Sequence, residues 1–245
     1  MNPTPPELSV VMPAYEEAAN LDRLLPQLHA AVASLGPSYE ILVIDSEQPR
    51  DHTAEVCARH AVRHVPRTGG SHYGDAIRTA LKTARGTYVV MMDADGSHAP
   101  SFIPKLWQYR HDYDLVIASR YVPGGQTENP WILIFMSLMV NMAFRLILNL
   151  QCRDVSNSFR LYQGDMVRAL TLECGNFDVV EEILVKLKPG GRSLRIKEVP
   201  FVFEKRKEGK TKRNLVTFAL GYIGTLYKLY RMKHQTSPVP KGRTP

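Results

Sequence analysis

Paired cysteines are absent from this 245-residue chain: Cys57, Cys152 and Cys174 stand far apart and form no C-x-x-C motif. An odd, scattered set excludes a disulfide framework and points to a reducing compartment. No secretory leader is expected, because Met1–Pro6 is polar and proline-rich, with no basic stretch leading into an apolar core. Long unbroken apolar runs are lacking too. The twenty residues of Trp131–Leu150 nominally reach the length of a bilayer span, but Asn141, Arg145 and Asn149 recur every four residues along their second half. That polar stripe predicts an amphipathic helix, lying on a membrane surface or packed on the core, in place of a span. The turn Gly69-Gly70-Ser71-His72-Tyr73-Gly74 misses the G-x-G-x-x-G spacing of a dinucleotide fingerprint. Internal repeats and long low-complexity segments are absent.

What is present is the composition of a folded protein, 44% hydrophobic and 22% charged, long enough for one large domain or one and a half. The net charge of +7 is concentrated: Lys186–Arg213 carries 11 Lys/Arg against three Glu, a local balance of +8, so the remainder nets about −1. Such a patch fits a nucleotide, an anionic membrane surface or nucleic acid, or it is a solvated loop. Nucleic acid fits least. The patch holds only Phe201 and Phe203 as aromatics, and they alternate like strand residues rather than forming a stacking platform.

The first half alternates strand and helix signals. Strands are predicted at Leu8–Met12, Glu40–Asp45, Val62–Val65, Thr87–Met92 and Leu115–Ser119, and helices at Ala18–Ala33, Asp51–His60, Gly74–Thr83 and Pro100–Arg110. This order implies an α/β fold with a Rossmann-like, mostly parallel sheet covered by helices. After a loop at Pro123-Gly124-Gly125 come the amphipathic stretch, a segment at Phe159–Tyr162, helices near Asp165–Leu172 and Val179–Lys188, and β structure over Ser193–Phe203. Pro200 places that β segment at an edge or bulge. A Tyr-rich helix over Asn214–Lys233 closes the fold, and His234–Pro245 reads as a flexible tail. The expected division is an α/β nucleotide-binding half over residues 1–125, an acceptor- and membrane-facing part over 126–233, and the tail over 234–245.

Asp93-Ala94-Asp95 ends the apolar run Thr87–Met92. Residues i and i+2 of a strand share a face, so both carboxylates reach one rim of the sheet. Paired oxygen ligands suit Mg²⁺ or Mn²⁺, which clamps phosphates, while a bare D-x-D also serves as an ordinary polar turn. Ligands of parallel sheets bind outside the carboxyl ends of the strands. Pro13, Tyr15, Asp45, Asp93 and Asp95 all stand just past such ends and are expected to converge on one crevice.

Together the marks resemble a known family. Val11-Met12-Pro13-Ala14-Tyr15-Glu16-Glu17, Asp45 and Asp93-Ala94-Asp95 look like the nucleotide-sugar half of family-2 glycosyltransferases, whose fold is of the GT-A type. Ser119-Arg120-Tyr121-Val122-Pro123-Gly124-Gly125, Asp154-Val155-Ser156-Asn157-Ser158-Phe159-Arg160 and Glu198-Val199-Pro200-Phe201-Val202-Phe203-Glu204-Lys205-Arg206 with Gly209-Lys210-Thr211-Lys212 resemble the dolichyl-phosphate or polyprenyl-phosphate mannosyltransferase branch. The resemblance implies that Pro13, Tyr15 and Glu16 contact base and ribose, and that Asp45 accepts from the base. It implies that Asp93 and Asp95 hold the cation and pyrophosphate, with Ala94 offering its backbone. Arg120, Arg206 and Lys212 are expected at the phosphates, the last two on a basic lid, and Asp95, Arg120 and Arg206 carry the catalytic role.

The implied reaction is metal-dependent, inverting transfer of a hexose, mannose or glucose, from a GDP- or UDP-linked sugar to polyprenyl phosphate. Such an acceptor is already ionised and requires no base. An alcohol acceptor would require one, with Asp178, Glu181 and Glu182 the nearest candidates. The chain departs from the family after its second strand, at Asp45-Ser46-Glu47-Gln48-Pro49-Arg50-Asp51-His52-Thr53, where the second acid is missing. Ser97 stands in place of a common Gln, and Asn157-Ser158 in place of Ser-Gly. Those departures also fit a soluble enzyme of the same fold acting on a small metabolite. The expected location is cytoplasmic and peripheral on the membrane face, compatible with an oligomer or a membrane-anchoring partner.

Overall fold

A computed structural model describes residues 4–128, 130–187, 193–203 and 215–235. In chain order the elements are β1 (Leu8–Pro13), α1 (Ala18–Ala33), β2 (Tyr39–Asp45), α2 (Thr53–Arg59), β3 (Arg63–Pro66), α3 (Tyr73–Thr83) and β4 (Tyr88–Met91). A 3₁₀ turn at Pro100–Phe102 leads into α4 (Ile103–Trp107), followed by β5 (Leu115–Ser119), β6 (Gln126–Thr127) and α5 (Trp131–Ile147). The chain closes with β7 (Arg160–Gln163), α6 (Gly164–Arg168), α7 (Val179–Lys186), β8 (Ile196–Pro200), β9 (Val202–Phe203) and α8 (Leu215–Gln235).

The main sheet has seven strands in the order β3-β2-β1-β4-β7-β5-β8, and all pairings are parallel except the two made by β7. The expected mostly parallel α/β sheet is therefore present. β1, β4 and β5 are buried on both faces, so they read as largely unbroken apolar runs. Leu8, Val10 and Met12 of β1 pack into the layer of α1 and α4, while Val11 packs with Ala76, Ile77 and Ala80 of α3 on the other face. β8 is an edge strand, and Pro200, which has no N–H for a ladder, is its last residue. β7 and β8 lie in the same sheet as the strands that precede residue 125.

Two predicted elements show how side chains set the local structure. The helix expected from Asp51 starts at Thr53, because Asp51 acts as a tie before it: its carboxylate accepts the N–H of Thr53 at 3.0 Å and of Ala18 at 2.9 Å. It thus satisfies the first N–H of both α2 and α1. The second is α5, where the predicted amphipathic helix is present. The Asn141–Arg145–Asn149 stripe does not face water as a unit: Asn141 is buried at 2% exposure, whereas Trp131, Phe135, Met142 and Leu146 are exposed. Asn141 Oδ1 accepts the Val155 N–H at 2.7 Å, and its Nδ2 donates to the Ser137 carbonyl at 2.7 Å. The helix is amphipathic with Asn141 turned inward, while Arg145 is exposed. It ends where Asn149 takes φ 48° and the Leu150 N–H reaches the Arg145 carbonyl at 3.0 Å. Among the described residues no helix is long and apolar enough to cross a membrane.

Candidate active site

Strand register decides which residues meet at the carboxyl rim. Pro13 pairs with Ile44 across β1 and β2, and Val11 with Met91 across β1 and β4. Pro13, Asp45 and Asp93 therefore leave the sheet at nearly one level, on strands about 4.8 Å apart. Met92 and Ala94 pack into the α1 layer, so alternation turns Asp93 toward α3. There Tyr73 Oη reaches Asp93 Oδ1 at 3.4 Å and Ser158 Oγ donates to the same oxygen at 3.0 Å.

Ser158 arrives by way of β7. That strand runs antiparallel between β4 and β5, with Arg160 opposite both Met91 and Ile117. The residues before it, Asp154–Phe159, consequently enter at the same rim as Asp93. His98 clamps this junction. Its Nδ1 accepts the Asp93 N–H at 2.9 Å, which leaves the proton on Nε2, 3.1 Å from Asn157 Oδ1. Asn157 Nδ2 in turn donates to the Ala118 carbonyl at the end of β5, and the imidazole stacks on Phe159 at 4.8 Å. Burial holds the His98 imidazole below its ordinary pKa and thus neutral, outweighing the charges of Asp93 and Asp95. His98 is structural, as a histidine of this placement is expected to be.

The turn after Asp93 places Asp95. Gly96 adopts φ 81°, and Asp95 Oδ1 accepts the Ser97 N–H at 3.0 Å and its hydroxyl at 2.6 Å. Ser97, which stands where a Gln was expected, is committed to orienting Asp95. Asp93 and Asp95 are both partly exposed, and Ala94 between them is buried.

On the β1–β2 side, Asp45 is buried at 3%, with Oδ1 accepting the Ser46 N–H at 2.7 Å and Oδ2 lying 3.1 Å from His64 Nε2. Tyr15 is exposed at 46%, with the Arg50 guanidinium 5.9 Å from its ring centre, and Glu16 takes a left-handed φ of 56°. Arg67 joins these parts. Its Nε donates to the Asp45 carbonyl at 3.0 Å, Nη1 to the Ser71 carbonyl at 3.0 Å, and Nη2 to the Ala14 carbonyl. Sequence reasoning missed it. Its only signal was an arginine between a short strand and Gly69-Gly70.

Arg120 has a partner that the sequence did not reveal. Its Nε and Nη2 grip Asp154 Oδ2 and Oδ1 at 2.8 and 2.7 Å, its backbone N–H reaches Oδ2 at 2.9 Å, and Nη2 also donates to Ser156 Oγ at 2.9 Å. Burial opposes the Asp154 charge, but the Arg120 guanidinium outweighs it and holds this carboxyl below the usual range. The arginine fork thus anchors the 154–158 loop beside the rim. Arg206 and Lys212 lie outside the described residues.

Of the three carboxylates considered as bases for an alcohol acceptor, Glu181 and Glu182 are turned into the core and Asp178 is partly exposed. Glu181 and Glu182 are 1% and 0% exposed. Glu182 caps the backbone N–H of Glu173 and Cys174 at 2.8 Å each and meets Lys186 Nζ at 2.7 Å. Burial first, then the Asp178 and Asp154 charges, push Glu181 up to about 8 against the pull of Arg160. Asp178 accepts the Asn176 N–H at 2.9 Å and the Thr225 hydroxyl at 3.5 Å. Asp178 and Glu182 are thus engaged by backbone and side-chain partners, whereas the buried Oε2 of Glu181 has no hydrogen-bond partner among the described residues.

Among the described residues no cluster of three or more His, Cys, Asp and Glu is arranged to hold a metal ion. The pair Asp93 and Asp95 offers oxygen donors only. That set fits a hard divalent cation that takes its remaining ligands from phosphate and water, and does not fit zinc.

The family model "Glycosyl transferase family 2" matches residues 9–171. A dolichol-phosphate mannosyltransferase of Pyrococcus furiosus is 30% identical, over 96% of this chain and 67% of its own length. An undecaprenyl-phosphate mannosyltransferase of Micrococcus luteus is 31% identical, over 82% of this chain and 85% of its own. In structure, the chain is similar to glucosyl-3-phosphoglycerate synthase from Mycobacterium tuberculosis, solved with Mn²⁺, uridine diphosphate and glucosyl-3-phosphoglycerate. The TM-score is 0.68 at 18% identity, covering 92% of this chain and 80% of that one.

Proposed function

This chain belongs to glycosyl transferase family 2, and from that premise we propose that it transfers a hexose, mannose before glucose, from a GDP- or UDP-linked sugar to a polyprenyl phosphate. The observation that carries the donor half is the acid pair at the carboxyl rim, held by Ser158, His98 and Ser97 and flanked by Pro13 and Asp45. The acceptor half is supported by the relatives, whose names share mannose and a polyprenyl phosphate and differ in the polyprenol.

Asp93 and Asp95 hold the diphosphate side of the donor through Mg²⁺ or Mn²⁺. When bound, that cation neutralises the charge that the leaving diphosphate gains. Pro13, Tyr15, Glu16 and Asp45 receive the nucleoside, and Ala94 presents its backbone. Arg120 positions the 154–158 loop through Asp154, and Arg206 and Lys212 contact the phosphates from the basic segment. An acceptor phosphate oxygen attacks the anomeric carbon, the bond to the diphosphate oxygen breaks, and the diphosphate leaves with the electron pair, inverting the centre. The nucleophile is ionised near neutral pH, so no proton has to be removed. The engagement of Asp178 and Glu182 by backbone N–H groups supports this base-free route.

The enzyme meets its acceptor as a peripheral protein on the cytoplasmic membrane face. The exposed apolar side of α5, with Trp131 at 76% and Leu146 at 70%, and the Lys186–Arg213 charge supply the two signals that reversible membrane binding needs. A thermal-shift screen tests the donor site: GDP or UDP with Mn²⁺ or Mg²⁺ is expected to raise Tm, and neither component alone to do so fully. Equal shifts with and without metal would remove the cation from the account.

A further inference from the structure

Asp93 presents its two oxygens unequally. Oδ1 accepts the Ser158 hydroxyl at 3.0 Å and, more loosely, the Tyr73 hydroxyl at 3.4 Å. Among the described residues nothing donates to Oδ2 within hydrogen-bond distance. His98 Nε2 stands 3.8 Å from it, but the proton on that nitrogen goes to Asn157 Oδ1 at 3.1 Å. The Asp93 side chain keeps 29% of its surface exposed at the rim. One oxygen is tethered and the other is left for a ligand.

Both hydroxyls are held from behind. Tyr73 opens α3, where the Gly74 N–H donates to the Gly175 carbonyl at 2.8 Å, and its ring stacks on Phe177 with centres 4.5 Å apart. Ser158 is buried between Asn157, whose N–H donates to Asp154 Oδ1 at 3.1 Å, and Phe159, which stacks on His98. A glycine at position 158, where the family pattern has one, offers no donor at all. The stronger tether on Asp93 is therefore a feature of this sequence. Asp95 shows a similar arrangement at its own Oδ1, which accepts the Ser97 N–H and hydroxyl.

We infer that the Ser158 and Tyr73 hydroxyls limit Asp93 to one cation-binding oxygen, Oδ2, and so select an octahedral ion such as Mg²⁺ or Mn²⁺ over Ca²⁺; this rests on the cation reading above. The reason is geometric. Ca²⁺ accepts about six to eight oxygens and readily takes a carboxylate through both of its oxygens. Mg²⁺ requires near-octahedral placement and is held by one or two carboxylates together with substrate phosphates. A carboxylate bound through both oxygens spans too narrow an angle for two octahedral corners. Hydrogen bonds behind a ligand also fix its orientation, and losing one typically weakens metal affinity roughly ten- to a hundredfold. At 3.0 Å against 3.4 Å, Ser158 carries the larger share.

The test measures Mn²⁺ affinity by electron paramagnetic resonance, and Ca²⁺ affinity by displacement of Mn²⁺, on the full chain with saturating GDP or UDP. Ser158→Ala is expected to weaken Mn²⁺ binding roughly tenfold, while Ca²⁺, given the second oxygen of Asp93, keeps its affinity or gains. The ratio of Mn²⁺ to Ca²⁺ affinity then falls about tenfold or more. Tyr73→Phe is expected to move the ratio the same way by less, and it decides the matter should Ser158→Ala fail to fold. Tm is read alongside by calorimetry. A ratio that stays or rises in the variants that keep their Tm overturns the inference; both cations weakening alike is such a case, since general damage to the site has that effect. If the unaltered chain binds no Mn²⁺ with either nucleotide, the cation reading itself fails.

Discussion

The carboxyl rim and the outer side of α5 are built on opposite plans. At the rim the polar side chains are bound to neighbours: Asp93 to Ser158, Asp95 to Ser97, Arg120 to Asp154. On α5 the bound polar group, Asn141, faces inward, and the outward side is mostly apolar, with Arg145 as its exposed charge. The rim gains reach and direction from many hydrogen bonds, which suits chemistry that depends on placement. The helix gains an apolar surface and a single internal anchor, which suits contact with a lipid surface. Ser137 links the two, accepting from Tyr121 Oη at 2.7 Å while its carbonyl receives Asn141.

The sharpest way to break this contrast is at the rim. Asp95→Ala is expected to lower metal-dependent transfer roughly a thousandfold with Tm within a few degrees of the parent, read by steady-state turnover and calorimetry. Unaltered turnover would reduce the acid pair to a strand cap. On the other plan, replacing Trp131, Phe135 and Leu146 together by Ser is expected to cut partition onto anionic vesicles on the order of a hundredfold, with Tm unchanged. Asn141→Leu reverses that pattern: leaving the Val155 N–H unpaired costs roughly 2 kcal/mol of stability while vesicle binding stays. If both variants behaved alike, the two sides of α5 would not be distinct.

The smallest effect is on pH dependence and comes from the buried wall behind the rim. Glu181 keeps a proton up to about 8 in the folded chain, against an ordinary value of 4.5. Between those values the native state binds a proton that the unfolded chain has released, so stability falls as pH rises. Denaturant unfolding is expected to show a loss of about 1.4 kcal/mol from pH 6 to pH 7, which Glu181→Gln removes. An unchanged slope in the variant would assign the dependence to another group.

Much of the first half was legible because buried parallel strands announce themselves as apolar runs closed by polar residues, and each of Pro13, Asp45 and Asp93 stands at or just past such a closure. The insertion of β7 was not. A four-residue strand carries no signal of direction, and its pairing with β4 spans some seventy residues of chain. The same gap hid the Ser158–Asp93 and Asn157–His98 contacts and the partner of Arg120, since nothing in local sequence says which loop meets which rim. The α5 stripe predicted the amphipathic helix that is present, but helical periodicity reports only that Asn141 and the exposed apolar residues lie on different faces, not which face the core takes. Turned inward, Asn141 accepts the Val155 N–H.

The central claim is transfer to a lipid phosphate, and radiolabel transfer into an organic phase tests it directly. With polyprenyl phosphate, Mn²⁺ or Mg²⁺ and a panel of labelled GDP- and UDP-sugars, label is expected to enter the organic phase with one donor, mannose-linked first, and to stay in water when the acceptor phosphate is omitted. Label remaining in the aqueous phase with every donor would contradict the account.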